Sequence, residues 1–329
     1  MRRPSRSARL VSVCLAGTTA EHVSENRQRI ALLQEIIGVI RAKAKWHPID
    51  AIVFPGGLFR LDVPIARKSH AERVKVIEAS RFGRAAMEGL ELAEMPSDTT
   101  LVFGILADGR GANERPDQAC VALNARGVVG LARKIFPTDL ETSGKRILLQ
   151  SVADFGSNDR FLKLANGNVA ILSACYDLFG LADGKDVSPA RTKTIRHLWD
   201  GTRIVRQGDE GFRKLRSQCL ADWRRQMQER APAIAIATIH GFDRPGRDGY
   251  WQRHGIAAAS AALKGGLVVG AANFIARLPD AETSTLAAKR VPKAHLDDAL
   301  RRTARALQPV DAAELPGPKS RALMRFFTS

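Results

Sequence analysis

Nine short apolar runs, rich in β-branched residues, punctuate this chain, and several of the intervals between them carry the period of an amphipathic helix. The runs are LVSVCLA (10–16), DAIVFP (50–55), TTLVFGIL (99–106), ACVALNA (119–125), VVGLARK (128–134), RILLQSV (146–152), VAILSAC (169–175), AIAIATI (233–239) and LVVGAANF (267–274). Helical spacing is expected over 26–44, 68–93, 190–229, 251–264 and 294–307. Such alternation restricts the chain to an α/β architecture, because each strand run needs apolar cover that the neighbouring helical stripes can supply.

A length of 329 residues with 45% hydrophobic and 26% charged content suits one large soluble domain or two smaller ones. No run approaches the roughly 18 apolar residues needed to span a bilayer. The opening MRRPSRSARLVSVCLAG has basic residues before a short apolar stretch, as a secretion signal does, but removing it would delete the first strand. Cys14, Cys120, Cys175 and Cys219 are scattered without paired spacing, which is the usage of a reduced, cytoplasmic protein. No Cys-x-x-Cys or histidine cluster offers a metal site, and no cofactor is implied. The net charge of +17 could attract acidic ligands, but the arginines are spread along the chain without interleaved aromatics, so nucleic acid is not the expected partner.

Candidate chemistry sits where the apolar runs end. GNVAILSACYDLFG (167–180) delivers Cys175 to a strand-to-loop junction, a place where reactive side chains are commonly presented. GVVGLARKIFPTD (127–139) does the same for Lys134, while alternation sends Arg133 to the opposite face. A thiol of ordinary pKa is only a few per cent ionised at neutral pH, and a nearby ammonium is expected to lower that pKa. His240 closes the run AIAIATIH, which is expected beside the Cys175 strand, so it could line the same pocket; a satisfied surface histidine is the plainer alternative. Taken alone, Cys175 could equally be a packed structural cysteine.

Taken together, these segments resemble the nitrilase, or carbon-nitrogen hydrolase, superfamily. Its strand-F-P-E segment is matched by AIVFPGG (51–57), its lysine segment by LARKIFPTD (131–139) and its C-Y/W-D segment by ACYDLFG (174–180), in the right chain order and with lysine and cysteine 41 positions apart. PDQACVALNARGVVGLARK (116–134), with Gln118 where asparagine is usual, and YWQRHGIAAASAALKGGLVVGAANF (250–274), with its A-x-N ending, extend the likeness over residues 9–278. The resemblance implies a nitrilase-like α-β-β-α sandwich of two mixed sheets with outer helices. It implies a catalytic Cys175 and Lys134, with the Tyr176 amide helping to hold the oxyanion, and a homodimer or higher homo-oligomer acting on a small amide or nitrile.

One departure matters. Gly56 stands where the family carries its general-base glutamate, and losing a positioned base costs about a hundred- to ten-thousandfold. Glu141 follows the lysine strand, where many family members carry a second glutamate, and is the acid expected to take over proton handling. Gly56 and Gly57 are expected to leave room for a substrate group. A catalytically silent binding or scaffolding protein is the alternative that Gly56 motivates. The domain is expected to span 1–278, with a basic, largely helical insertion at 181–231, and residues 279–329 are expected to form a C-terminal extension over a partner subunit or loosely ordered.

Overall fold

The computed structural model describes residues 7–43, 48–92, 96, 98–109, 111, 113–138, 141–142, 160–175, 177, 195–241, 263, 267–274, 285–289, 310–315 and 322–328. Strand β1 (Arg9–Ala16) lies at the middle of a first sheet. It pairs in parallel with β2 (Ala51–Val53), which pairs with β4 (Thr100–Ala107); β3 (Phe59–Leu61) continues along the same side of β4. Antiparallel β5 (Asp117–Asn124) and β6 (Gly127–Arg133) complete that side.

The second sheet is built on β7 (Phe161–Lys163), β8 (Val169–Ala174), β11 (Ile234–Ile239), β12 (Leu267–Phe274) and β13 (Thr285–Lys289). Here β8, β11 and β12 are parallel, with β7 and β13 antiparallel at the two ends. The sheets meet where Leu15 and Ala16 of β1 pair with Asn273 and Phe274 of β12.

Period-two alternation distributes the side chains into three apolar layers. Leu10, Val102, Cys120 and Ala122 of the first sheet meet Leu172, Ile236 and Val269 of the second in a central layer. The other face of the first sheet, with Val11, Val13 and Phe103, is covered by helices α1 (Asn26–Lys43), α2 (His70–Ala79) and α3 (Arg81–Leu92). Leu33, Ile36, Ile37 and Ile40 recur at helical spacing along α1 and are buried; each contributes about 1.5–3 kcal/mol of apolar burial. The outer face of the second sheet, with Ile171, Ala235 and Ala237, is covered by α4 (Phe212–Arg230) through Phe212, Cys219 and Trp223. This is the expected α-β-β-α sandwich.

The helical stretch expected over 68–93 is broken at Ser80. This residue is extended (φ −64°, ψ 153°), its hydroxyl bonding back to the Ile77 carbonyl and accepting from the Gly83 amide. It thus ends α2 and caps α3. Within the expected insertion, 212–230 is helical as α4, whereas β9 (His197–Trp199) and β10 (Ile204–Arg206) form an antiparallel pair in place of helix. The polar segments 196–206 reverse through Asp200, whose carboxylate accepts from the Thr202 and Arg203 amides, so local side-chain bonding wins over helix there. The strand expected at 146–152 and the helices expected at 251–264 and 294–307 fall outside the described residues, apart from Leu263.

Residues 311–315 and 322–328 return the chain to the first sheet. β14 (Asp311–Leu315) pairs with β15 (Ala322–Thr328), and β15 lies antiparallel to β1 from Arg9↔Thr328 to Leu15↔Ala322. Ala322, Met324 and Phe327 are buried, so this segment is part of the sandwich.

Candidate active site

Three strand ends converge. Lys134 directly follows β6, and its amide continues the ladder by donating to the Gln118 carbonyl at 2.8 Å. Cys175 directly follows β8, and its amide likewise donates to the Thr238 carbonyl of β11 at 2.8 Å. There the chain turns: Cys175 has φ 48°, a left-handed conformation that costs a non-glycine residue about 1–3 kcal/mol and is typically retained at functional positions. The two turns are joined by Asp177, whose Oδ1 accepts from the amides of Ile135 at 2.9 Å and Phe136 at 3.0 Å. Burial pushes the Asp177 carboxyl up to about 6, against the pull of Arg160 and of those two amides. Cys175 and Phe136 belong to one buried apolar cluster.

Lys134 is buried and held by two side-chain acceptors. Its Nζ lies 2.6 Å from Glu141 Oε1 and 3.0 Å from Gln118 Oε1, and Gln118 Nε2 donates to the same Glu141 oxygen. The other oxygen, Oε2, accepts from the Thr138 amide at 2.6 Å and its hydroxyl at 3.0 Å. Burial opposes both charges. The negative groups at Cys175 and Glu141 nonetheless hold the Lys134 pKa above its usual value, and Lys134 holds Glu141 below the usual carboxylate range. Arg133 points away, as alternation requires, but into a buried ion pair with Asp117 at 2.6 Å.

The thiol itself departs from expectation. Burial raises the Cys175 pKa by more than Lys134 and the His240 amide, which hydrogen-bonds the sulfur, lower it. The physical reason is burial, which disfavours the thiolate; the Glu141 and Asp177 carboxylates add smaller contributions of the same sign.

The room expected at Gly56 is filled. A Cβ on residue 56 would lie 2.8 Å from both the amide nitrogen and Nδ1 of His240 and 2.9 Å from the Ile239 carbonyl carbon. A Cβ on Gly57, whose φ is 62°, would lie 3.0 Å from the His240 ring. The 56–57 segment is held against β11 by the bond from the Gly56 amide to the Ile239 carbonyl at 2.8 Å. Asn273, the last residue of the A-x-N ending, ties the two further: its Nδ2 donates to the Gly56 carbonyl at 3.1 Å and the His240 carbonyl at 2.6 Å.

His240 therefore lines the site, and it is not a satisfied surface histidine. Both ring nitrogens are out of contact with solvent and, among the described residues, without a hydrogen-bond partner, although part of the residue stays exposed. Burial, assisted by the Lys134 ammonium, pushes its pKa down to about 4, so the ring is neutral at pH 7.

Of the residues expected in the site, Cys175, Lys134, Glu141, Gly56, Gly57 and His240 come together, and Tyr176 lies outside the described residues. Gln118, Thr138, Asp177 and Asn273 had no assigned role; the only signals were the Asn-like position of Gln118, the D of C-Y-D and the A-x-N ending. Among the described residues no group of three or more His, Cys, Asp or Glu converges to hold a metal ion, and no helix is long and apolar enough to cross a membrane.

This architecture is similar to that of Nit3 from Saccharomyces cerevisiae, a member of branch 10 of the nitrilase superfamily, with a TM-score of 0.50 over 98% of this chain and 90% of that chain at 10% identity. The fold is that of the nitrilase superfamily. An amidase from Nesterenkonia sp. AN1, solved as a mutant with the acetamide moiety of fluoroacetamide added at its active-site cysteine, gives a TM-score of 0.48 over 99% of this chain and 92% of that chain at 10% identity. No protein-family model matches the sequence, and no curated protein does.

Proposed function

We propose that this nitrilase-fold protein is a thiol-dependent hydrolase of a nonpeptide carbon-nitrogen bond, with a small linear amide as substrate. The observation that carries this reading is the clamp of Asp177 on the Ile135 and Phe136 amides, which brings the Cys175 turn against the Lys134 turn inside the sandwich. In this reading the Cys175 sulfur attacks the amide carbonyl, and the oxyanion is held by Lys134 Nζ and a backbone amide following the cysteine. The C–N bond then breaks to release ammonia or an amine, and water hydrolyses the thioester. Glu141 and Gln118 fix the Lys134 ammonium in position and keep it charged where burial alone would discharge it. A silent scaffold has no need of a strained cysteine beside a charged, buried lysine.

Alkylation separates the two readings. Iodoacetamide at neutral pH should modify Cys175 ahead of Cys120 and Cys219, whose thiols burial pushes up to about 12 and about 11. Lys134→Met, which removes the ammonium acting on the sulfur, should slow Cys175 labelling by about tenfold. Cys175→Ala should abolish ammonia release from short aliphatic amides. Labelling of Cys175 no faster than the other thiols, with no amide turnover, would establish the scaffold.

A further inference from the structure

The mechanism above lacks a base, and the candidates within the site are unequal. Glu141 already accepts four hydrogen bonds, from Lys134, Gln118 and both donors of Thr138, so a proton placed on it must break at least one of them. Asp177 spends one oxygen on two backbone amides, while its other oxygen faces the Arg160 guanidinium at 3.9 Å.

His240 is differently placed. Its amide bonds the Cys175 sulfur, so its ring is no farther than one side chain's reach from the reacting atom. The ring also overlies Gly56 and Gly57, occupying the space in which a side chain at position 56 would begin. Among the described residues neither ring nitrogen has a partner, and a buried imidazole with two unsatisfied nitrogens is costly unless a ligand or reacting group completes it.

We propose that His240 is the general base of the Cys175 reaction, the imidazole standing in the place that the glycine at position 56 vacates. The assignment rests on the reading of Cys175 as a nucleophile. As the S–C bond forms, the ring takes the thiol proton. It returns that proton to the leaving nitrogen as the C–N bond breaks. In the second half it accepts a proton from the attacking water, and the sulfur leaves carrying that proton back from the ring. The ring begins and ends neutral, the form that burial and Lys134 enforce.

p-Nitrophenyl acetate distinguishes this assignment from the reading beneath it, because its leaving group needs no proton whereas thioester hydrolysis still requires an activated water. The intact chain should give a burst of p-nitrophenolate followed by steady turnover, and Cys175→Ala should lose both. His240→Asn, and His240→Gln as a second replacement, should show a slower burst, because the thiol proton loses its acceptor, and should lose about a hundredfold or more in the steady rate. In His240→Ala, added imidazole should recover part of that rate, which a packing defect would not allow. A Cys175-dependent burst with undiminished steady turnover in both replacements overturns the base assignment and leaves the hydrolase reading standing. Absence of any burst from the intact chain overturns both. If none of the replacements folds, the wild-type profile decides: a steady rate that stays constant as pH falls below about 4 excludes a base that must be deprotonated.

Discussion

Glycine at position 56 reads in the sequence as a loss, and at the scale of single residues the structure makes it a requirement. A methyl group there would press on the His240 amide nitrogen and the Ile239 carbonyl carbon, backbone atoms that cannot rotate away, and would also meet the His240 ring. Restoring a glutamate at this position therefore forces β11 to shift before any carboxylate can act. Gly56→Ala should already lower stability by about 1–3 kcal/mol, the usual cost of overpacking, and slow Cys175 alkylation by moving the His240 amide off the sulfur. Thermal melting together with iodoacetamide kinetics checks this; an alanine variant as stable and as reactive as the parent would show that the segment has slack. Cys175 and Lys134 were legible because each ends an unmistakable apolar run. His240 ended one too, but its meeting with Gly56 depends on strands that are not neighbours in either sheet, a relation no local pattern encodes.

At the scale of elements, what the sequence hides is short or remote. The long central strands and α1 follow from alternation and from the 3.6-residue period, and their observed ends fall within one or two residues of the apolar runs for most of them. β9 and β10 have three residues each, too few to show a period. β15 is seven residues of ALMRFFT with an irregular burial pattern, and its partner β1 lies at the other end of the chain. Yet seven residue pairs join β1 to β15, and Met324 is completely buried against the layer that α1 covers. Met324→Ala should cost about 2–5 kcal/mol, as for a large-to-small change in a packed core, and should be visible as a lowered urea midpoint. A loss below about half a kcal/mol, the range of ordinary surface changes, would mean that β15 is dispensable to the sandwich.

For the whole molecule, the buried titratable groups of the site set how stability responds to acid. His240 has an ordinary value of 6.5 and a folded value of about 4. Its folded pKa is depressed, so between those values the unfolded chain binds a proton that the fold refuses. Its contribution is fully present above pH 6.5 and is lost as pH falls through about 4, a change on the order of 3 kcal/mol. Asp177 has the opposite sign: its carboxyl is raised from 3.8 to about 6, so the fold takes up the proton first. Its contribution is present at low pH and is lost as pH rises through about 6. The two offset one another across the same window, and the parent's stability should change less between pH 6.5 and 4 than either group alone would dictate. Removing one of them exposes the other. His240→Asn should gain stability relative to the parent steadily as pH falls through this window, and the difference should be flat above pH 6.5. Urea midpoints of the two proteins at half-unit pH intervals measure the difference directly. A constant gap from neutral pH down to pH 4 would mean that the ring titrates alike in the folded and unfolded chain, so that the fold does not depress its pKa.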